Sequence, residues 1–156
     1  MDGDWILLAY RLPREPSTPR ITVWRKLKRL GVAQLVDGLV ALPRDSRTHE
    51  AFDWLAEEIV EAGGVATVWT GSPTSGSQGR ALAGQLASAR AEEYRQVVAD
   101  ARAAYGADAR TRRRALGRLR RELHRIRRRD YFPPPERREA EAAVDRLRRE
   151  IDQVAA

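Results

Sequence analysis

Asp37-Gly38 stands between Leu35-Val36 and Leu39-Val40, and this dipeptide constrains the chain more than any other feature. Two loop residues of Asp-Gly type between apolar pairs predict a β-hairpin closed by a type I′ turn, which needs positive φ twice. The hairpin follows two other elements. WILLAYRLP, from Trp5, is an apolar run of strand length stopped by Pro13. PRITVWRKLKRLG then sets Val23, Trp24, Leu27 and Leu30 against Arg25, Lys28 and Arg29, a helical spacing with Gly31 as its stop.

After the hairpin, Arg47 to Ala62 carries Phe52, Leu55, Ile59 and Val60 on one face, with Glu50, Asp53, Glu57, Glu58 and Glu61 mostly off it. Gly63-Gly64 ends this helix, and the β-branched VATVWT predicts a last strand over Val65–Thr70. Strand, helix, hairpin, helix and strand make a ferredoxin-like βαββαβ unit in an α+β chain. One core is expected to bury Trp5, Leu7, Trp24, Phe52, Trp54 and Trp69.

Three segments follow from composition: an α+β domain over 1–71, a flexible linker over 72–79 and a helical tail over 80–156. The Gly/Ser-rich GSPTSGSQG carries the linker reading. In the tail, Leu82, Leu86, Tyr94, Val97, Val98, Ala101 and Tyr105 mark a long helix that Gly106 ends. Asp108 is placed to cap the next one. Leu116, Leu119, Leu123 and Ile126 recur at heptad spacing, as do Ala140, Val144, Leu147, Ile151 and Val154. DYFPPP breaks the chain between these two runs, so they predict an antiparallel helical hairpin.

Charge is unevenly spread. Residues 1–100 hold 12 Lys+Arg against 13 Asp+Glu, while 101–156 hold 17 against 9, so the net +7 lies wholly in the last third. Arg110 to Arg129 contains 11 arginines and one acid, Glu122. On a helical projection Arg113, Arg114, Arg118, Arg120, Arg121, Arg125, Arg127, Arg128 and Arg129 fan away from the leucine seam, and all of these but Arg127 are the candidate phosphate contacts. Guanidinium forks match phosphate oxygens, and a stripe of them is the footprint of a polyanion-binding face. Arg25, Lys28 and Arg29 form a secondary cluster. DNA is therefore one partner class. An acidic protein surface, within the chain or on another, is a second, with the heptad helices serving a homodimer. A merely solvated arginine face is the third.

Other classes find little support. The two histidines, His49 and His124, have no partner at metal-ligand spacing, and no paired carboxylate or nucleophile–base set is present. GSPTSGSQG lacks the lysine and Ser/Thr of a P-loop. These observations predict a non-enzyme with no cofactor and no metal. The absence of cysteine fits a cytoplasmic protein. No apolar run nears the roughly 20 residues of a membrane span, and the acidic start with Asp2 and Asp4 is unlike a secretion signal.

The ordered set Trp5, Leu7, Leu8, Leu12-Pro13, Arg20, Trp24-Arg25, Leu27-Lys28, Leu30-Gly31, Asp37-Gly38 and Leu42-Pro43 resembles the start of ChrB, the bacterial chromate-resistance regulator family. EEYRQ at Glu92–Gln96 and IRRRDYFPPPERREAEAAV at Ile126–Val144 resemble later segments of the same proteins. The resemblance implies a DNA-binding transcriptional regulator, or accessory, of the chromate-resistance type, with this chain equivalent to the N-terminal domain and chromate sensing associated with a further domain. The first block also resembles the C-terminal domain of phenylacetate-catabolism repressors and, more distantly, the small CRISPR adaptation nuclease subunit. Both imply a ferredoxin-like fold. The nuclease's metal-binding aspartate is replaced by Tyr10-Arg11-Leu12, so its activity is not implied here.

Overall fold

In the computed structural model, which describes residues 4–155, the chain is α+β and mostly helical, with four strands and five helices. Asp2 lies outside the described residues. The elements run β1 (Trp5–Arg11), α1 (Thr18–Leu30), β2 (Ala33–Val36), β3 (Leu39–Pro43), α2 (Ser46–Glu61), β4 (Val65–Gly71), α3 (Gly76–Ala104), α4 (Ala109–Arg128) and α5 (Glu136–Ala155). The chain divides into two compact units, residues 1–85 and 86–156, so the division falls within α3.

The first unit is built on one antiparallel sheet of order β2-β3-β1-β4. Register places Ile6 opposite Leu42 and Leu8 opposite Val40, and all four are buried. They share one face, on which α2 packs against β1 and β4 with Phe52, Leu55 and Ile59 buried. Asp45 caps α2 by accepting from Thr48 N–H at 2.7 Å, while the Thr48 hydroxyl accepts from Asp45 N–H. Gly31, at φ 73°, ends α1 in the left-handed conformation that favours glycine.

The hairpin forms where Asp-Gly stands, but its turn is not type I′. Gly38 has φ 78° and no non-glycine residue has positive φ among the described residues, so only one turn position is left-handed. A register shift between Gln34 and Val36 accompanies it. A bulge adds local right-handed twist, the same requirement a primed turn would have met. Glycine is also needed sterically, because a Cβ at Gly38 would lie 2.5 Å from the Tyr10 carbonyl oxygen.

The expected tryptophan core is corrected. Trp5 and Phe52 are buried and Leu7 half-buried, but Trp24, Trp54 and Trp69 are 55%, 66% and 60% exposed. Trp24 lies beside the buried Val23/Leu27 stripe, under the Lys28 ammonium at 4.3 Å. Trp54 sits one position off the Phe52/Leu55/Ile59 stripe, its indole N–H donating to Glu50 at 3.4 Å. Trp69 pairs with Leu7, so it occupies the face of the sheet opposite Ile6 and Leu8. Aliphatic side chains at i, i+3 and i+4 spacing filled the interior instead.

α3 begins at Gly76, inside the Gly/Ser-rich stretch. Ser75 Oγ accepts from Gln78 N–H at 3.3 Å, the i→i+3 bond of a helix start. The second unit is a helical core. Tyr94, Val97, Val98, Ala101 and Ala104 of α3 pack with Ala115, Leu119, Leu123 and Ile126 of α4 and with Ala140, Val144 and Leu147 of α5. Both heptad seams are therefore largely consumed inside this unit. Contacts fix the directions: Asp100 meets Arg118 and Glu93 meets Arg129, so α4 runs back along α3. Arg127 meets Glu141, so α5 returns along α4.

Candidate nucleic-acid interface

α4 starts on Asp108, whose carboxylate accepts from Thr111 N–H and Thr111 hydroxyl, both at 2.9 Å. Those two bonds hold the Asp108 carboxyl below its usual range. With Leu119, Leu123 and Ile126 turned into the core, the arginines other than the half-buried Arg112 are left on the outer arc, where they separate into two groups.

One group flanks the neighbouring helices and is occupied. Arg118 pairs with Asp100 at 3.6 Å, Arg127 with Glu141 at 3.4 Å, and Arg125 with Glu122 on its own helix. Arg129, its side chain only 16% exposed, holds Glu93 at 2.6 Å. These ion pairs relieve the like-charge repulsion at i,i+4 that Arg114/Arg118 and Arg121/Arg125 would otherwise impose.

The other group forms a crown. Arg110, Arg113, Arg114, Arg120 and Arg121 are exposed and make no ion pair or side-chain hydrogen bond among the described residues. At 3.6 residues per turn they occupy about 120° of arc and about 16 Å of helix. Exposed His124 and Arg128 lie on the same side. The sequence-predicted set thus divides: Arg113, Arg114, Arg120 and Arg121 are free toward solvent, Arg128 is exposed, and Arg118, Arg125 and Arg129 are engaged by carboxylates. Arg25 and Arg29, in the first unit, are exposed on α1, and Lys28 lies over Trp24.

What sequence reading missed is the polar lock below the crown. Tyr94 OH donates to Asp130 Oδ2 at 2.7 Å, and Arg137 Nη1 lies 3.7 Å from the same oxygen. Arg90, nearly buried, is 2.9 Å from Glu93 through Nε, at an angle that makes an ion pair without a hydrogen bond. Its Nη1 donates to the Arg129 carbonyl at 3.5 Å. Burial lowers the Arg90 pKa, partly countered by Glu93. Burial, then the Asp130 hydrogen bond, raise the Tyr94 phenol well above its ordinary value. The Arg137 Nε donates to Glu141 at 2.9 Å and holds that carboxyl below its usual range. Two segments 36 residues apart, EEYRQ and RRRDYF, thereby meet. The available signal was the tyrosine following an acidic pair and the lone aspartate ending an arginine run; neither names its partner.

Among the described residues no group of three or more His, Asp or Glu is arranged to hold a metal, and no helix is long and apolar enough to cross a membrane. Neither a curated protein nor a solved structure matches the chain. The family model described as protein ChrB, N-terminal, matches residues 20–156. With nearly its whole length so matched, the chain belongs to the ChrB N-terminal family.

Proposed function

We propose that the chain is a cytoplasmic, non-enzymatic DNA-binding transcriptional regulator, or the accessory of one, of the chromate-resistance type. The crown of α4 is the phosphate-contacting surface and the exposed α1 cations, Arg25 and Arg29, are a secondary contact. The carrying observation is the division of the arginines: acids satisfy Arg118, Arg125, Arg127 and Arg129, whereas five exposed guanidinium groups on one arc have no carboxylate partner among the described residues. An uncompensated arc of this kind is stabilised by a polyanion, and release of counterions from DNA supplies the affinity. The first unit is read as ferredoxin-like, supported by its element order and by the strand order β2-β3-β1-β4. The second is read as a long helix carrying an antiparallel hairpin, which presents α4 outward.

The test is fluorescence anisotropy with labelled duplexes, including the chain's own upstream region, across about 50 to 200 mM salt. Log affinity falling steeply with log salt, and tighter binding to the upstream duplex, is the expected result. Steep salt dependence without preference reduces the role to a general DNA binder. No binding at the lowest salt refutes the reading and returns the crown to an acidic protein partner.

A further inference from the structure

The two edges of the sheet are treated differently. β2 has four residues, a register shift between Gln34 and Val36, and a Gln34 carbonyl that accepts from Gln85 Nε2 at 3.4 Å. Shortness and irregularity are devices that keep an edge from pairing. β4 has none of them. Its seven residues, VATVWTG, contain no proline and no charge and pair with β1 in unbroken register from Val65↔Arg11 to Gly71↔Trp5.

The direction of its backbone groups follows from the ladder. Tyr10 N–H donates to the Gly38 carbonyl and Arg44 N–H to the Asp4 carbonyl, so the even-numbered residues of β1 point toward β3 and the odd-numbered ones toward β4. Leu7 and Ala9 therefore bond Trp69 and Thr67. The N–H and C=O groups of Ala66, Val68 and Thr70 point away from the sheet, and no hydrogen bond is made there among the described residues.

We infer that the β4 edge is a homodimer interface, in which β4 of a second copy pairs antiparallel about a two-fold axis at Val68. The occupant is a second copy because the strand is its own complement. With Val68 opposite Val68, Ala66 stands opposite Thr70, and every outward group meets one of the opposite kind in three hydrogen-bonded pairs. The same register sets Trp69 of each chain opposite Thr67 of the other, an aromatic with β-branched pair, and Val65 opposite Gly71. Trp69 and Val65, each 60% exposed, gain cover in this arrangement. An uncharged strand brings no like charges together on the axis. The heptad seams of α4 and α5 do not compete for this role, because the helical core already occupies them.

The experiment is sedimentation equilibrium of the full chain over a broad concentration range, with Thr70→Pro, Ala66→Pro and Leu35→Lys variants. Each proline removes an outward N–H that β1 does not use, a substitution edge strands tolerate. The wild-type chain is expected at twice its 17.6 kDa mass. Each proline should weaken dimerisation about tenfold or more, since the two-fold axis doubles every lost hydrogen bond, with far-UV circular dichroism retained. Leu35→Lys, on the other edge, should leave the dimer intact. A monomer at all concentrations overturns the inference. So does a dimer that survives in whichever proline variant remains folded, or one lost in Leu35→Lys.

Discussion

Neutralising the crown should flatten the salt dependence of DNA binding by a calculable amount. Each phosphate neutralised on B-DNA contributes about −0.9 to the slope of log affinity against log salt. Five free arginines, Arg110, Arg113, Arg114, Arg120 and Arg121, set a slope near −4.5, so a rise from about 50 to 200 mM salt weakens binding roughly 500-fold. Replacing Arg113, Arg114 and Arg121 with alanine leaves two crown contacts, so the crown's share of the slope falls to near −1.8 and its share of the loss to about 12-fold over the same range. Alanine is the best helix former, and none of the three side chains has a carboxylate partner among the described residues, so the fold should persist. Anisotropy titrations at four or more salt concentrations read the slope directly. Arg118→Ala is the comparison, because that guanidinium already serves Asp100. An unchanged slope in the triple variant, or an equal change in Arg118→Ala, would refute the division of the stripe into free and engaged arginines.

Three further outcomes are expected from the packing. Asp130→Ala removes a carboxylate with no exposed side-chain surface, orphans the Tyr94 hydroxyl and strips Arg137 of a partner; a loss of about 3 kcal/mol in urea unfolding is expected. Phe52→Ala should lower stability by about 3–5 kcal/mol, whereas Trp54→Ala, at a side chain 66% exposed, should change it by less than about 0.5 kcal/mol. Equal effects would restore the tryptophan core. Acid sensitivity follows from Asp108 and Glu141, whose carboxyls are held below their ordinary values by Thr111 and Arg137. A depressed carboxyl pKa contributes stability above the unfolded-state value that is lost as pH falls through the folded one. The urea midpoint should therefore hold through neutral pH and fall below about pH 4.5, with a shallower acid limb in Glu141→Gln.

Every element of this fold has a local cause written in the chain. Gly31 ends α1 because only glycine is at ease at φ 73°, Asp108 caps α4 through Thr111, and the prolines after Tyr131 divide α4 from α5. The arginine arc was legible for the same reason: helical periodicity places Leu119, Leu123 and Ile126 on one side and the guanidinium groups on the other. The α+β class, the hairpin and the outward stripe were determined by neighbours within a few residues. What those neighbours leave open is which large side chain is covered and which charge is answered. Trp24 and Trp54 lie one position from buried stripes, and both stay exposed while their neighbours Val23 and Leu55 are covered. Arg129 and Arg113 belong to one run of like residues, yet only Arg129 meets Glu93, across 36 positions of sequence. Packing of α3 against α4 selected among equivalent arginines because an ion pair depends on distance in space, which spacing along one helix does not encode.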